Sequence, residues 1–221
     1  MHCRAALFDI DGTLVNSLPL YEATLNALLV EEGRTPLDGP AIVALFQDTV
    51  EYILRQAFAI TGEPLDDEAF GRIHARFMAN YEENGGKYAE LYPGVPETLE
   101  ALSQAGTRLG IVTNRPHMAA TRILKDLGVL HYFSNIFSID NVTKRKPDPA
   151  HLFETLEGMA VTPKDAVMVG DHDMDVLVAK RAGVPVILVS YGYAKAPPAT
   201  LDADILIDRF QDLPEAIRRL P

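Results

Sequence analysis

The chain has a single cysteine, Cys3, in 221 residues, so no internal disulfide can form and a reducing, cytoplasmic setting is expected. No apolar run reaches the roughly 18 residues that a membrane helix needs, so no membrane partner is expected. The start, Met1 to Phe8, carries no signal-peptide pattern. Basic residues are few: 20 Lys and Arg against 31 Asp and Glu give a net charge of −11. A nucleic-acid binder draws its affinity from neutralising phosphates with cations, so no nucleic-acid partner is expected either. A small anionic substrate remains compatible, because a few local cations or a metal outweigh the global field. Neither G-x-x-x-x-G-K-[ST] nor G-x-G-x-x-G occurs, which removes support for the nucleotide folds built on those loops. Repeats and low-complexity tracts are absent too.

What is present is ordinary for a globular protein: 48% hydrophobic and 23% charged residues. A chain of this length buries roughly 70 to 75% of its unfolded surface and needs no staples to fold. Arg4 to Phe8 reads as a buried strand, followed at once by the turn-forming Asp9-Ile10-Asp11-Gly12-Thr13. From Leu18 to Tyr88 the apolar spacing is helical only. One stretch holds Leu18, Tyr21, Leu25 and Leu28 and ends at Gly33. A second holds Ile42, Leu45, Val50, Ile53, Leu54 and Phe58 and ends at Gly62, and a third holds Phe70 to Tyr81 and ends at Gly85-Gly86.

Alternation follows. Strands at Leu109–Val112, Asn135–Ile139, Ala166–Val169, Val186–Val189 and Ile205–Ile207 are separated by helices. These helices fall at Val95–Gln104, Met118–Leu127, Pro149–Glu157, Met174–Ala182 and Leu213–Leu220, the third with Asp148 as its expected N-cap. Such alternation means βαβ units and a parallel sheet. The expected class is α/β, a doubly wound Rossmann-like parallel sheet with an inserted all-helical cap domain. Residues 1–15 and 89–221 form the core, and residues 16–88 the cap.

Four polar clusters fall just after strands: Asp9 and Asp11, Thr113-Asn114, Lys146, and Gly170-Asp171 with Asp175. In an open parallel sheet the ligand sits outside the carboxyl ends of the strands, so four segments deliver their polar residues to one edge. Carboxylates gathered there repel one another unless a cation joins them. Mg²⁺ suits an oxygen-only site that takes a substrate phosphate oxygen as a ligand. Asp9, the backbone carbonyl of Asp11 and Asp171 are candidate ligands, with Asp175 one turn further along holding the metal's water. A carboxylate can attack phosphorus to give an aspartyl-phosphate. Thr113 can offer a hydroxyl, and Lys146 a charge, to the transferring oxygens. Asn114 and Arg115 are further candidates for the substrate anion. The Pro after Lys146 biases it toward extended backbone, which singles it out from Lys144 and Arg145.

The segments F-D-I-D-G-T-L, I-V-T-N, K-P-D-P and V-G-D-x-D-M-D together resemble the four motifs of the haloacid dehalogenase superfamily. The chain is similar to its phosphoglycolate-phosphatase-like members, which implies a Rossmann-like core, Mg²⁺ and a helical cap inserted after the first strand. The resemblance implies that Asp9 is the nucleophile and that Asp11 protonates the leaving alcohol and then deprotonates the hydrolytic water. Asp11 favours a phosphatase over a dehalogenase, since the dehalogenases proper lack an aspartate at that place. Asn16 stands where many such phosphatases carry aspartate, and His172 where relatives usually carry a small hydroxyl residue. The expected activity is hydrolysis of a small phosphorylated metabolite by a monomer or homodimer. A phosphomutase, an inorganic pyrophosphatase and a catalytically idle metabolite-binding module are the competing readings. The cap should set the substrate, yet its Gln47-Asp48-Thr49 offers no cation, and Arg55 is the nearest basic residue.

Overall fold

Ala5–Phe8 forms β1, four residues buried on both faces, which suits only an interior strand of a sheet covered on both sides. This computed structural model describes residues 3–45 and 49–220, the side chain of Glu82 excepted. In chain order β1 is followed by a two-residue strand β2 (Val15–Asn16) and four helices: α1 (Leu18–Glu31), α2 (Gly39–Leu45), α3 (Val50–Thr61) and α4 (Asp67–Tyr88). A second short strand, β3 (Glu90–Leu91), leads to α5 (Val95–Gln104), β4 (Arg108–Val112), α6 (His117–Asp126) and β5 (Phe133–Phe137). Then come α7 (Ala150–Gly158), β6 (Ala166–Gly170), α8 (Asp173–Ala182), β7 (Val186–Val189), β8 (Ile205–Ile207) and α9 (Leu213–Arg219).

The main sheet has the order β5-β4-β1-β6-β7-β8, and its strand pairs are parallel. The chain fills one side of β1 with β4 and β5, then crosses to fill the other with β6, β7 and β8. β1 therefore lies at the point where the order reverses, where α/β sheets open a crevice for a ligand. Register finishes the alignment. Phe8 pairs with Ile111 on one side and Val169 on the other. Asp9, Thr113 and Asp171 therefore leave three adjacent strands at nearly one level.

The chain divides into two units: residues up to Asn16 with those from Leu91 onward, and Ser17–Glu90. The expected division lay one and two residues earlier. In the first unit Phe8 is fully buried and packs edge-on against Phe133 with centroids 6.1 Å apart, and against Phe210 at 6.0 Å. In the second, Tyr21 of α1 meets Tyr81 of α4 at 4.8 Å, and Glu32 accepts from Arg72 and Arg76 at 3.0 and 2.7 Å. No described helix is long and apolar enough to cross a membrane.

Four expectations about element ends need correction. The second helical stretch is two helices, α2 and α3, with the Thr49 hydroxyl accepting from the Tyr52 amide to start the latter. Gln47 and Asp48 lie outside the described residues, as does Met1. Gly85-Gly86 does not end α4, which continues to Tyr88 with Lys87 in its last turn, where a cation suits the helix dipole. Pro149, not Asp148, is the N-cap of α7, although Asp148 still accepts from the Ala150 amide at 3.0 Å. β5 stops at Phe137 rather than Ile139, because the Asn141 side chain captures the Ser138 amide at 2.7 Å and turns the chain.

Phe8→Ala removes a buried ring from between two others and should lower unfolding stability by about 3–5 kcal/mol in urea titration. A loss below about 1 kcal/mol would contradict the packing described here.

Candidate active site

Lys146 sits in the loop between β5 and α7, and its backbone is fixed by the neighbouring loop after β4. Asn114 donates through Nδ2 to the Lys146 carbonyl at 3.1 Å and accepts from the Lys146 amide through Oδ1 at 3.0 Å. Both ends of that amide thus engage the backbone of one residue. Asn114, expected as a substrate contact, is placed here as a brace for Lys146. The lysine stem then runs inward, 2% exposed, and its Nζ lies 2.9 Å from Asp9 Oδ1 and 2.7 Å from Asp175 Oδ1.

Asp175 stands in the first turn of α8 and uses its second oxygen on the loop that precedes it. Its Oδ2 accepts from the amides of Asp171 at 3.2 Å and His172 at 3.1 Å. Helix N-termini leave such amides unpaired, and a carboxylate satisfies them well. Asp175 therefore orients Lys146 and shapes the loop that presents Asp171. His172 is the N-cap of α8, beside the Asp173 carboxylate.

Asp171 is held from two sides. The Thr13 hydroxyl donates to its Oδ1 at 3.0 Å, and the Tyr193 amide donates to its Oδ2 at 2.8 Å. Two glycines make room for it. A Cβ at Gly12, whose φ is +82°, would lie 2.2 Å from Asp171 Oδ2, and one at Gly192 would lie 2.2 Å from Asp171 Cβ. Only bare backbone fits there. Thr13, Gly192 and Tyr193 were not singled out from sequence as site residues. A signal existed: β7 neighbours β6 in the sheet, so the loop after β7 must reach the same edge. Tyr193 also donates its hydroxyl to Asn16 Oδ1 at 2.8 Å.

Thr113 is buried, and its Oγ1 accepts from the Arg115 amide at 3.1 Å, which leaves its proton for an incoming oxygen. The Arg115 guanidinium grips Asp11, Nε to Oδ2 at 3.1 Å and Nη2 to Oδ1 at 2.5 Å. In the helical unit, Arg55 is committed to Glu51 and Asp67, each at 3.1 Å.

Asp9, Asp171 and Asp175 each place a carboxylate oxygen within 4.8 Å of the others. Burial pushes Asp9 up to about 7; the charges of Asp175 and Asp11 add to the rise, and Lys146 opposes it. Burial also raises Asp171 well above the usual carboxylate range, reinforced by the charges of Asp175 and Asp9. Burial alone would lower the Lys146 ammonium, but Asp175 and Asp9 outweigh it and the net shift is upward. One lysine does not neutralise this many acids. An oxygen-only set of buried carboxylates with a surplus of negative charge is the donor chemistry that a hard divalent cation such as Mg²⁺ takes.

Comparison with known proteins shows the family. Residues 6–189 match the model of the haloacid dehalogenase-like hydrolase family. The chain is 39% identical over 214 residues to the phosphoglycolate phosphatase of Rhodospirillum rubrum, covering 95% of this chain and 89% of that one. It is 34% identical over 212 residues to the phosphoglycolate phosphatase of Agrobacterium fabrum, covering 96% and 91%. A crystal structure of a predicted phosphoglycolate phosphatase from Haemophilus somnus 129pt superposes with a TM-score of 0.93 at 29% identity, covering 98% and 99%.

A cation held by Asp9, raised to about 7, and by Asp171, raised as well, would displace their protons. Mg²⁺ affinity should then rise with pH through about 7, by up to about tenfold per unit for each proton displaced. Calorimetry in buffers of different ionisation enthalpy should record proton release. A pH-independent affinity would contradict this electrostatic picture.

Proposed function

The chain belongs to the haloacid dehalogenase-like hydrolases, and on that footing we propose that it is a Mg²⁺-dependent phosphatase working through a phosphoryl group on Asp9. The proposed substrate is a small phosphomonoester of the phosphoglycolate kind, the class named by relatives that share 34 to 39% identity over nearly the whole chain. The observation that carries the reading is the convergence of Asp9, Lys146 and Asp171 from three separate loops, with Lys146 Nζ 2.9 Å from Asp9 Oδ1.

In the first step a carboxylate oxygen of Asp9 bonds to phosphorus as the ester P–O bond breaks. Asp11 gives its proton to the departing alkoxide, so the alcohol leaves neutral. In the second step a water oxygen bonds to phosphorus while Asp11 takes the water's proton. The bond between Asp9 and phosphorus breaks, which restores the Asp9 carboxylate and releases inorganic phosphate. Lys146 and the Thr113 hydroxyl bind the transferring oxygens throughout and oppose their growing charge.

Asp9, Asp171 and the backbone carbonyl of Asp11 would hold Mg²⁺, with Asp175 supporting from behind Lys146. When bound, the ion supplies positive charge that offsets the repulsion between the Asp9 carboxylate and an incoming phosphate. Asn114 serves by fixing the Lys146 loop, and Thr13, Gly12, Gly192 and Tyr193 by fixing Asp171.

Asp9→Asn should reduce phosphate release from phosphoglycolate and from 4-nitrophenyl phosphate to the uncatalysed background, with folding unchanged by circular dichroism. Chelation with EDTA should silence the unaltered protein, and added Mg²⁺ should restore it. Turnover retained by the Asn variant would remove Asp9 from the attacking role.

A further inference from the structure

The acids of the site are all partnered. Lys146 takes Asp9 and Asp175, Thr13 and the Tyr193 amide take Asp171, and Arg115 takes Asp11. The last pairing is two-pronged, at 3.1 and 2.5 Å, between side chains 5% and 23% exposed. We propose that Arg115 is a positioning residue that acts on the reaction through Asp11, and not a binder of the substrate anion. The inference rests on the phosphatase reading above.

Arg115 is well placed to hold another group still. It follows β4 directly, its amide donates to the Thr113 hydroxyl at 3.1 Å, and its neighbour Asn114 is tied to the Lys146 backbone on both sides. The guanidinium is therefore carried on a fixed stem. A planar fork matched to both carboxylate oxygens fixes the plane of the carboxylate as well as its location, which a lysine cannot do. A carboxylate has about four lone-pair sites, and the fork occupies one on each oxygen. The remaining site on each oxygen is left to face a leaving alcohol or a water. Proton transfer depends steeply on such placement: a shift of about 1 Å in a reacting group costs about 100-fold in rate.

The leaving group separates this role from anion binding. An alkoxide must receive a proton as it departs, whereas 4-nitrophenolate departs without one, so only the alkyl ester depends on Asp11 in the first step. With enzyme in excess over substrate and Mg²⁺ present, Arg115→Gln should slow glycolate release from phosphoglycolate by about 100-fold. The 4-nitrophenolate burst from 4-nitrophenyl phosphate should change less than about threefold, and KM for either ester should barely move. Arg115→Lys, which keeps the charge and one donor, should recover part of the loss, and it carries the same test if the Gln variant folds poorly. Asp11→Asn should show the same leaving-group pattern, and adding R115Q to it should cost nothing more. Equal losses with both esters, a rise in KM with kcat intact, or additive losses in the double variant would overturn the inference while leaving the phosphatase reading in place. An unaltered protein that hydrolyses neither ester would overturn that reading and this inference with it.

Discussion

A buried ammonium between one buried and one partly buried carboxylate organises this site's chemistry. Lys146 bridges Asp9 and Asp175 at 2.9 and 2.7 Å with almost no access to water. Desolvating such groups is expensive, and breaking a buried ion pair by removing one partner typically costs about 3–5 kcal/mol. Three loops must therefore be in register before the arrangement is tolerable at all. The main sheet supplies that register. β1 is an interior strand, and its neighbours β4 and β6 deliver Thr113 and Asp171 two residues beyond the rungs that pair with Phe8.

Many of the polar groups here support one another before they meet any ligand. Asp175 caps the loop that presents Asp171, and Asn114 secures the backbone N–H and C=O of Lys146. Gly12 and Gly192 admit Asp171 where a methyl group would collide with it. Burial first, and the neighbouring carboxylates after it, displace Asp9 and Asp171 upward. Stability alone would not favour such a displacement. Perturbed carboxylates gathered in this way are the pattern expected of a functional site, and they support the proposed cation-assisted reaction.

The sequence made the strand order of events plain because buried parallel strands are short continuous apolar runs, and the punctuation after each was polar. Val186–Val189 and Ile205–Ile207 match β7 and β8 residue for residue for this reason. Residues brought to the sheet edge were legible as a set, and the division of labour among them was not. Whether Asn114 faces a substrate or a neighbouring backbone depends on the path of the Lys146 loop, which no local pattern encodes. The same holds for Arg115, whose partner Asp11 lies 104 positions away. Gly85-Gly86 misled because glycine permits a helix end without requiring one. The loop after β7 is signalled only by its place beside β6, because its contribution to Asp171 is a backbone amide that residue type does not encode.

The most direct test of a covalent step at Asp9 is to catch it. Rapid acid quenching of the Mg²⁺-loaded protein with ³²P-labelled substrate, followed by peptide mapping, should find the label on the peptide that contains Asp9, and none after chelation. Label on a different residue, or hydrolysis that proceeds with no labelled protein at any quench time, would contradict the account.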